Sequence, residues 1–477
     1  MTKQFLFIFA LYSAVSWAQP KKWTLEECVN FALKNNITIQ QTTLDVDANA
    51  INKKAAFGSF LPNISSNASH SWNIGLNQNI TTGLLENQTT QFSAAGLNAN
   101  IIIYNGLQNQ NRLRRANLAI LASQYQLEKI QNDVSLNVAN AFLQILFSKE
   151  NLKVLTEQQA NDEIQLNRTQ ELVNSGVVPR GDLLDAKATV AADVQRVIVA
   201  QNTLFIAKLS LAQLLQIADF QNFDITSDET NSFSKSVVLS EKPETILDKA
   251  KQERIELKIA KANLDVAQKD IKIARGAYQP TLAGFYSFSS RVSYTDRIAG
   301  FQLDATNPTQ VIGQVQGTNQ NVLQPNFSPV FGGPLPFFDQ FSNNKGHNFG
   351  VQLNIPILNG FAAQNNVARS KIAYERAKIA SKQAELDLER NVYNAINDAK
   401  GALNAFESAK VALDARTEAF TYAKERFAVG LINTFTLNQA QTLFTNAQSE
   451  LIRTKFDYIF KTKVVEFYFG IPLSKKL

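Results

Sequence analysis

One cysteine, two histidines and one methionine in 477 residues remove several function classes at once. Cys28 has no partner for an intrachain disulfide, and no Cys-rich metal site is possible. Set among Leu25, Val29 and Phe31, it reads as a small buried hydrophobe. His70 and His347 have no carboxylate or thiol near them in sequence, so no convergent metal ligand set is expected. A glycine-rich phosphate loop is missing, as is any convergent acid, base or nucleophile set. The expectation is therefore a protein that is not an enzyme and needs no cofactor. The formal charge is +6, but Lys and Arg are scattered among Asp and Glu along helical stretches. A nucleic-acid binder would gather them on one face, so no nucleic-acid partner is expected.

Long apolar runs are also scarce. Phe5 through Val15 form one of 11 residues, preceded by Lys3 and followed by Ser16-Trp17-Ala18. That is the pattern of a secretory leader spanning 1–18, and it is too short to cross a bilayer, which takes roughly 20 residues. No other helical membrane span is expected. An exported chain of this kind enters a membrane, if at all, by strands.

What the chain does contain is a copy of itself. Leu97, Ala99, Ile101, Ile103, Asn105 and Gly106 recur 254 positions later as Val351, Leu353, Ile355, Ile357, Asn359 and Gly360. Ile37, Ala56, Gly58, Phe60 and Pro62 recur 218 positions later as Ile255, Ala274, Gly276, Tyr278 and Pro280. The difference, 254 − 218 = 36 residues, marks one loop that grew.

The first repeat occupies 19–242, with a helix at 24–57, strands at about 62–74 and 92–104, long helices at about 106–172 and 182–218, and a linker at 219–242. The second occupies 243–477, with a helix at 244–276, strands at about 280–294 and 346–358, a long extracellular loop at 295–345, and helices at about 361–427 and 436–468. Thr24 and Glu27 form a capping box, and Leu61-Pro62 and Gln279-Pro280 stop the first helix of each repeat. The strands then alternate with period two. One face holds Leu97, Ala99, Ile101 and Ile103, or Val351, Leu353, Ile355 and Ile357; the other is mostly Asn, Gln and Ser, with Phe285 breaking the pattern. From Phe60 to Tyr104 the only formal charge is Glu86. A polar but uncharged face opposite an apolar one suits strands with lipid outside and a water-filled lumen inside. Trp72, Tyr104, Tyr286 and Phe349 read either as interfacial girdles or as ordinary strand packing.

Beyond Gly106 and up to Leu172 there is no proline and no glycine. A continuous helix there runs roughly 100 Å at about 1.5 Å per residue. Leu127, Ile130, Val134, Val138, Ala141 and Ile145 step at coiled-coil spacing, as do Val392, Ile396, Ala399, Leu403 and Phe406. Val190, Val194, Val197, Leu204, Leu211 and Leu215 carry the stripe back, so each repeat holds an antiparallel helical hairpin with its turn at Gly176 or Gly430. The fold class is thus mainly α with a transmembrane β-barrel. Four strands cannot close a barrel, so copies must join through their sheet edges. Three copies give twelve strands and a water-filled bore, while two or four give eight or sixteen.

In this order and spacing the motifs resemble the TolC-type outer-membrane efflux proteins over nearly the whole mature chain. The resemblance rests on the duplicated unit, the proline steps into strand, the Asn-Gly pairs closing the strands, and the tips Ser175-Gly176-Val177 and Val429-Gly430-Leu431, the first followed by Asp182 to Ala186. It implies a homotrimer, a twelve-stranded barrel in outer-membrane lipid, and an α-helical periplasmic tunnel. It also implies a passive exit duct serving a tripartite pump or a type I secretion system, with a periplasmic adaptor and an inner-membrane pump of RND or ABC type as partners. The tip residues Gly176, Val177, Asp182, Asp185, Gly430, Leu431, Thr436 and Gln439 would then form the gate and the adaptor contact. Some members place acidic residues after the second tip, where this chain has Thr436 and Gln439. Asp182 reads as a helix cap in preference to an ion ligand. Phe331 to Phe341 read as a cover for the outer mouth or as an unstructured loop. The rival class is an exported coiled-coil scaffold or adhesin.

Overall fold

A computed structural model of the chain describes residues 22–79, 83–226 and 237–471. The expected leader at 1–18 and part of the linker lie outside them. The chain divides into two compact units, one of residues 1–51, 116–268 and 372–477, the other of 52–115 and 269–371.

The first unit is helical. Its elements come from α1 (Leu25–Asn35), α2 (Ile37–Gly58), α3 (Gln108–Asn174), α4 (Arg180–Leu215), α5 (Pro243–Glu253), α6 (Ile255–Gly276), α8 (Ala362–Ala428) and α9 (Thr434–Tyr468). The capping box forms, with Thr24 Oγ1 accepting from the Glu27 amide and the Glu27 carboxylate accepting from the Thr24 amide. The single helices expected at 24–57 and 244–276 are each broken, at Asn36 and at Arg254, where ψ turns to 130°. These positions are 218 apart. Asn36 donates to Leu214 O at 3.1 Å and accepts from the Thr38 amide at 2.9 Å. Arg254 grips the Glu256 carboxylate at 2.6 Å and lies over the Phe467 ring. Of these, the Asn36–Thr38 and Arg254–Glu256 contacts are local, and local polar contacts offer the backbone an alternative to the next helical turn.

Two hydrophobic cores follow from the duplication. In one, Cys28, Val29 and Ala32 pack with Val138, Phe142, Ile145 and Leu211. In the other, the residues 218 and 254 positions on, Ile246, Leu247 and Ala250, pack with Val392, Ile396, Ala399 and Val465. The stripe read on α4 is corrected in one place: Val194 is exposed and its neighbour Asp193 is buried instead. By length and composition alone, α4 is long and apolar enough to cross a membrane. Its contacts with α1 and α9 place it in the helical unit. The linker is more than a tether. Asp224–Ile225 (β4) pairs in parallel with Lys22–Trp23 (β1), and Asp224 takes Lys149 at 2.7 Å and Lys208 at 2.9 Å.

The second unit is built on a four-stranded antiparallel sheet in the order β10-β5-β3-β2. The strands are β2 (Asn63–Gln78), β3 (Leu85–Asn105), β5 (Thr281–Ser293) and β10 (Gly346–Asn354). β2 and β3 are longer than the sequence pattern implied, and β10 is shorter. Ile355 and Ile357 were expected in the last strand but fall beyond it, after which Pro356 supplies no amide donor. Register gathers Leu97 beside Phe288, Ala99 beside Tyr286 and Val351 beside Gly284 on one face. Asn98, Ser287 and Asn348 share the other. Between Ile102 and Tyr104 the register slips at a bulge. Ile101 and Ile103 nonetheless both approach the space beside Gly284, so the bulge keeps Ile103 on the apolar side. Phe285, which broke the alternation, lies across Gly350 on the polar face, where its ring occupies the room a side chain would take.

The expected long loop is structured. It holds the ribbons β6 (Arg297–Leu303) with β9 (Phe327–Gly332) and β7 (Thr309–Gln314) with β8 (Asn321–Pro325), then a short helix α7 (Phe337–Asn343). At the opposite end of the sheet, Asn105 and Asn109 bond one another and Asn109 donates to Ser59 O at 2.9 Å. Gly106 has φ +67°, and a Cβ there would meet Gly276 O at 2.3 Å. A Cβ on Gly276 would meet Gly106 O at 2.7 Å and the Gln108 side chain at 2.4 Å. We expect Gly276→Val to cost about 1–3 kcal/mol through this overpacking. The readout is a lower midpoint for heat-induced loss of the native circular dichroism signal.

Candidate functional site: the hairpin tips and their polar seam

Both tips are made by the same local geometry. Gly176 has φ +74° and Gly430 φ +77°, a conformation that costs other residues the clash of a Cβ. The amide of Gly176 bonds Val173 O at 3.0 Å, and that of Val177 bonds Leu172 O at 2.9 Å. Gly430 and Leu431 repeat this on Phe427 O and Arg426 O at 3.0 and 2.9 Å. This is a Schellman closure, which satisfies carbonyls that the helix end leaves unpaired. It leaves Val177 and Leu431 at the apex, each 67 % exposed.

The return helices begin differently. Asn433 caps α9, accepting from the Thr436 amide at 3.0 Å and the Thr436 hydroxyl at 2.8 Å. Pro179 precedes α4 without any side-chain cap. Asp182 is therefore not the cap. It lies in the first turn, where a carboxylate is favoured by the helix dipole. Asp185 and Gln439 are exposed one turn further along the two return helices. Leu183 and Leu437, 254 apart, turn inward and are buried.

Behind the tips the seam between helices is polar. Gln441 Nε2 donates to Asp162 Oδ1 at 2.6 Å, and Gln158 Nε2 donates to Asp162 Oδ2 at 2.7 Å. Thr445 Oγ1 donates to Gln158 Oε1 at 2.8 Å, and Asn438 donates to Thr189 at 3.2 Å. These bonds join α9 to α3 and to α4. Asp193, only 2 % exposed, faces this ladder from α4; Arg196 reaches its Oδ1 at 3.0 Å, while its Oδ2 has no donor. Burial, and then the adjoining Asp162 carboxyl, push Asp193 from 3.8 up to about 7 against the pull of Arg196. A proton on Asp193 gives its Oδ2 a hydrogen to share with Asp162, which two carboxylates cannot do. A cavity beside the ladder is lined by Glu157, Asp162, Lys424, Gln441, Phe444 and Phe420, the last two rings stacked 5.3 Å apart. No group of three or more metal-ligating side chains occurs among the described residues.

Sequence reasoning missed Asp162, Asp193 and Gln441. The signal was present in α4, where Ala186, Asp193, Val197 and Ala200 are buried at coiled-coil spacing. The acidic side chain concealed it. Because Asp193 titrates higher folded than unfolded, the native state binds more protons between 3.8 and about 7, so stability falls as pH rises through that window. We expect Asp193→Asn to flatten this dependence and to stabilise the protein above neutrality by about 1–3 kcal/mol, since the amide can donate to Asp162. Thermal melts of both forms across the window check the sign.

Compared with known proteins, the chain matches the family model described as outer membrane efflux protein over residues 28–215 and 246–459. The interruption falls in the linker between the repeats. The outer membrane protein TolC of Vibrio cholerae serotype O1 is 23 % identical over 339 residues, covering 69 % of this chain and 66 % of the relative. TolC of Escherichia coli K12 is also 23 % identical, over 343 residues, covering 69 % and 59 %. The chain thus spans just under two thirds of those relatives' length. Among solved structures, the Campylobacter jejuni CmeC outer membrane channel superposes with a TM-score of 0.74 at 18 % identity, covering 94 % of this chain and 85 % of that one. VceC of Vibrio cholerae superposes at 0.71 and 13 % identity, covering 94 % and 96 %. With both repeats matched by the family model and the fold shared with these channels, the chain belongs to the outer membrane efflux protein family.

Proposed function

We propose that the protein is a passive exit duct in the outer membrane, assembled from three copies and coupled through a periplasmic adaptor to an inner-membrane pump. One observation carries this reading. The sheet ends on two unpaired strands, β2 and β10, with an apolar face of Leu97, Ala99, Ile101, Val351 and Leu353 and an opposite face of uncharged polar side chains. In hydrocarbon such edges must be paired. Three copies pairing edge to edge make twelve strands around an aqueous bore. The chain has no nucleotide-binding signature, so the work of transport falls to the pump. Ile198, Phe205 and Ile206, exposed on α4, are suited to cover by a neighbouring copy.

The duplication supplies the register of the closing edge. Within the chain, Leu97 pairs with Phe288, Ala99 with Tyr286 and Tyr104 with Leu282. Adding 254 to the first member and subtracting 218 from the second pairs Val351 with His70, Leu353 with Ala68 and Leu358 with Ile64 of the next copy. All six side chains are exposed in the lone chain. The close Gly106–Gly276 approach maps onto Gly360 and Gly58, and a Cβ built on either meets nothing within 4 Å in the single chain. We expect Gly58→Val to leave the protomer folded but to reduce the trimer fraction, seen by native mass spectrometry in detergent. A Val351→Cys/His70→Cys double variant should give covalent trimers on oxidation, and a Leu353→Cys/His70→Cys pair should not.

The tips would be the adaptor contact and the gate. Val177 and Leu431 are apolar, exposed and equivalent, as a protein-binding apex requires. Gly430→Pro cannot adopt the positive φ of the turn. Efflux of a reporter dye should be abolished in that variant, and in Leu431→Asp, with trimer mass unchanged. Normal efflux in both would remove the tip from the mechanism.

A further inference from the structure

The segment that grew between the repeats ends in α7, and α7 lies on the apolar face of the sheet rather than over its polar one. Its contacts fix the side. The Phe341 ring packs 6.2 Å from Phe288, which pairs with Leu97. Ser290, on the same face, donates to Phe341 O at 2.7 Å. A cavity beneath the helix is lined by Ala68, His70, Ser93, Ala95 and Val292 together with Phe337 and Phe341. In register these five strand residues lie on the apolar side, and Ser69 and Ala94 between them also border the cavity. The expectation that Phe331 to Phe341 cover the mouth, or are unstructured, is replaced by β9 and by a helix seated on the outward wall.

The attachment of α7 is inverted relative to a helix on a protein surface in water. Besides the Phe341–Phe288 contact, what holds it down is polar. Gln340 is buried, accepts from the Ser293 amide at 2.9 Å, and donates to Ser293 O at 2.9 Å and Leu335 O at 2.8 Å. Asn344 donates to Arg291 O at 2.7 Å. What points away is apolar: Phe338 is 81 % exposed, and Leu335, just before the helix, is also exposed. So short a helix has little stability of its own and depends on what surrounds it. A buried Gln beneath an exposed Phe wastes burial in water but fits a surface that is itself apolar.

The neighbours of α7 on this face are aromatic. His70 and Trp72 rings stand 4.3 Å apart, and His70 and Tyr294 rings 5.5 Å apart. This cluster lies toward the hairpin end of β2 and β3, remote from the end where β2 and β3 join α2 and α3. Amphipathic rings gather at the boundary between acyl chains and headgroups. Lys345, exposed just beyond α7, supplies a cation on the headgroup side.

We infer that α7 and the turn leading into it form an interfacial anchor, whose Phe338 and Leu335 insert at the acyl–headgroup boundary of the outer leaflet, outside the barrel. This rests on the reading that the apolar sheet face meets lipid. It extends the lipid-contacting band past the strands and fixes the depth at which the barrel sits.

The test uses full-length protein in phosphatidylcholine vesicles, with Trp17, Trp23 and Trp72 replaced by Phe and one new Trp placed at a time. Val351→Trp reports on the sheet face, Phe338→Trp on α7, and Leu335→Trp on the turn leading into α7. Lipids brominated near the headgroup end or near the chain terminus give depth, and aqueous iodide gives water contact. The expected result is that Trp at 338 and at 335 loses more emission to shallow bromines than to deep ones and little to iodide, while Trp at 351 is quenched by lipid bromines. If Trp at 351 is quenched by lipid but Trp at 338 and 335 are quenched only by iodide, the helix is in water and the anchor is refuted while the barrel reading stands. Quenching of 338 and 335 by neither means that protein covers them, which also refutes it. If Trp at 351 escapes lipid quenching, the lipid-facing sheet itself is wrong.

Discussion

Unpaired backbone groups at a sheet edge are the constraint from which the rest follows. In water an edge strand is managed with charge, bulges or cover. In hydrocarbon it has no substitute for a partner, because nothing there can donate or accept. The sheet of this protein has two such edges and almost no charge along its strands. A lone chain is therefore an incomplete object. β3 continues to Asn105 because β5 lies beside it, whereas its counterpart β10 stops at Asn354 with no strand on that side. Equivalent segments take different secondary structure according to whether a neighbour is present, and Pro356 sits where the paired copy already slips at a bulge.

Polar groups are distributed in two opposite ways in the two units. In the helical unit the seam behind the tips carries Gln158, Asp162, Asp193, Gln441 and Thr445 where a coiled coil would place aliphatic residues. Such positions give up hydrophobic burial and make specificity depend on hydrogen-bond matching. A seam of this kind can exchange one bonded arrangement for another without tearing open an apolar core, as an element with discrete packed states requires. In the sheet unit the polar contacts of Gln340 and Asn344 reach the backbone, and the Phe338 ring faces outward.

The repeats, the strand faces and the tip glycines were legible because each rests on a period or on a backbone need that one residue type meets best. Gly176 and Gly430 are needed for positive φ, and the alternation through Leu97 to Ile103 is a property of any half-buried strand. What escaped had competing local causes. Asn36 and Arg254 look like ordinary helical residues until their long-range partners, Leu214 and Phe467, are in place. Asp182 resembled a cap from its position near a helix start, but the turn puts Pro179 there. Asp193 was passed over for Val194 because composition favours the apolar neighbour, and only the packing of α3 and α9 against α4 makes burial of the carboxyl sensible. The helix in the long loop is short and carries no period, so nothing in the sequence distinguished it from coil.

The two cores have diverged in bulk. Phe142 and Ile145 in the first correspond to Ile396 and Ala399 in the second. The lost volume is met in part by Tyr393, Tyr468 and Phe469, which pack at the margin and are only partly buried. Aromatic rings at a margin exclude water less completely than an interior phenylalanine. Amide protons of the 388–399 stretch should consequently exchange with deuterium sooner than those of 134–145, although both stretches belong to equally long helices. Duplication has left this molecule with one bulkier core and one leaner one, and local opening would begin in the latter.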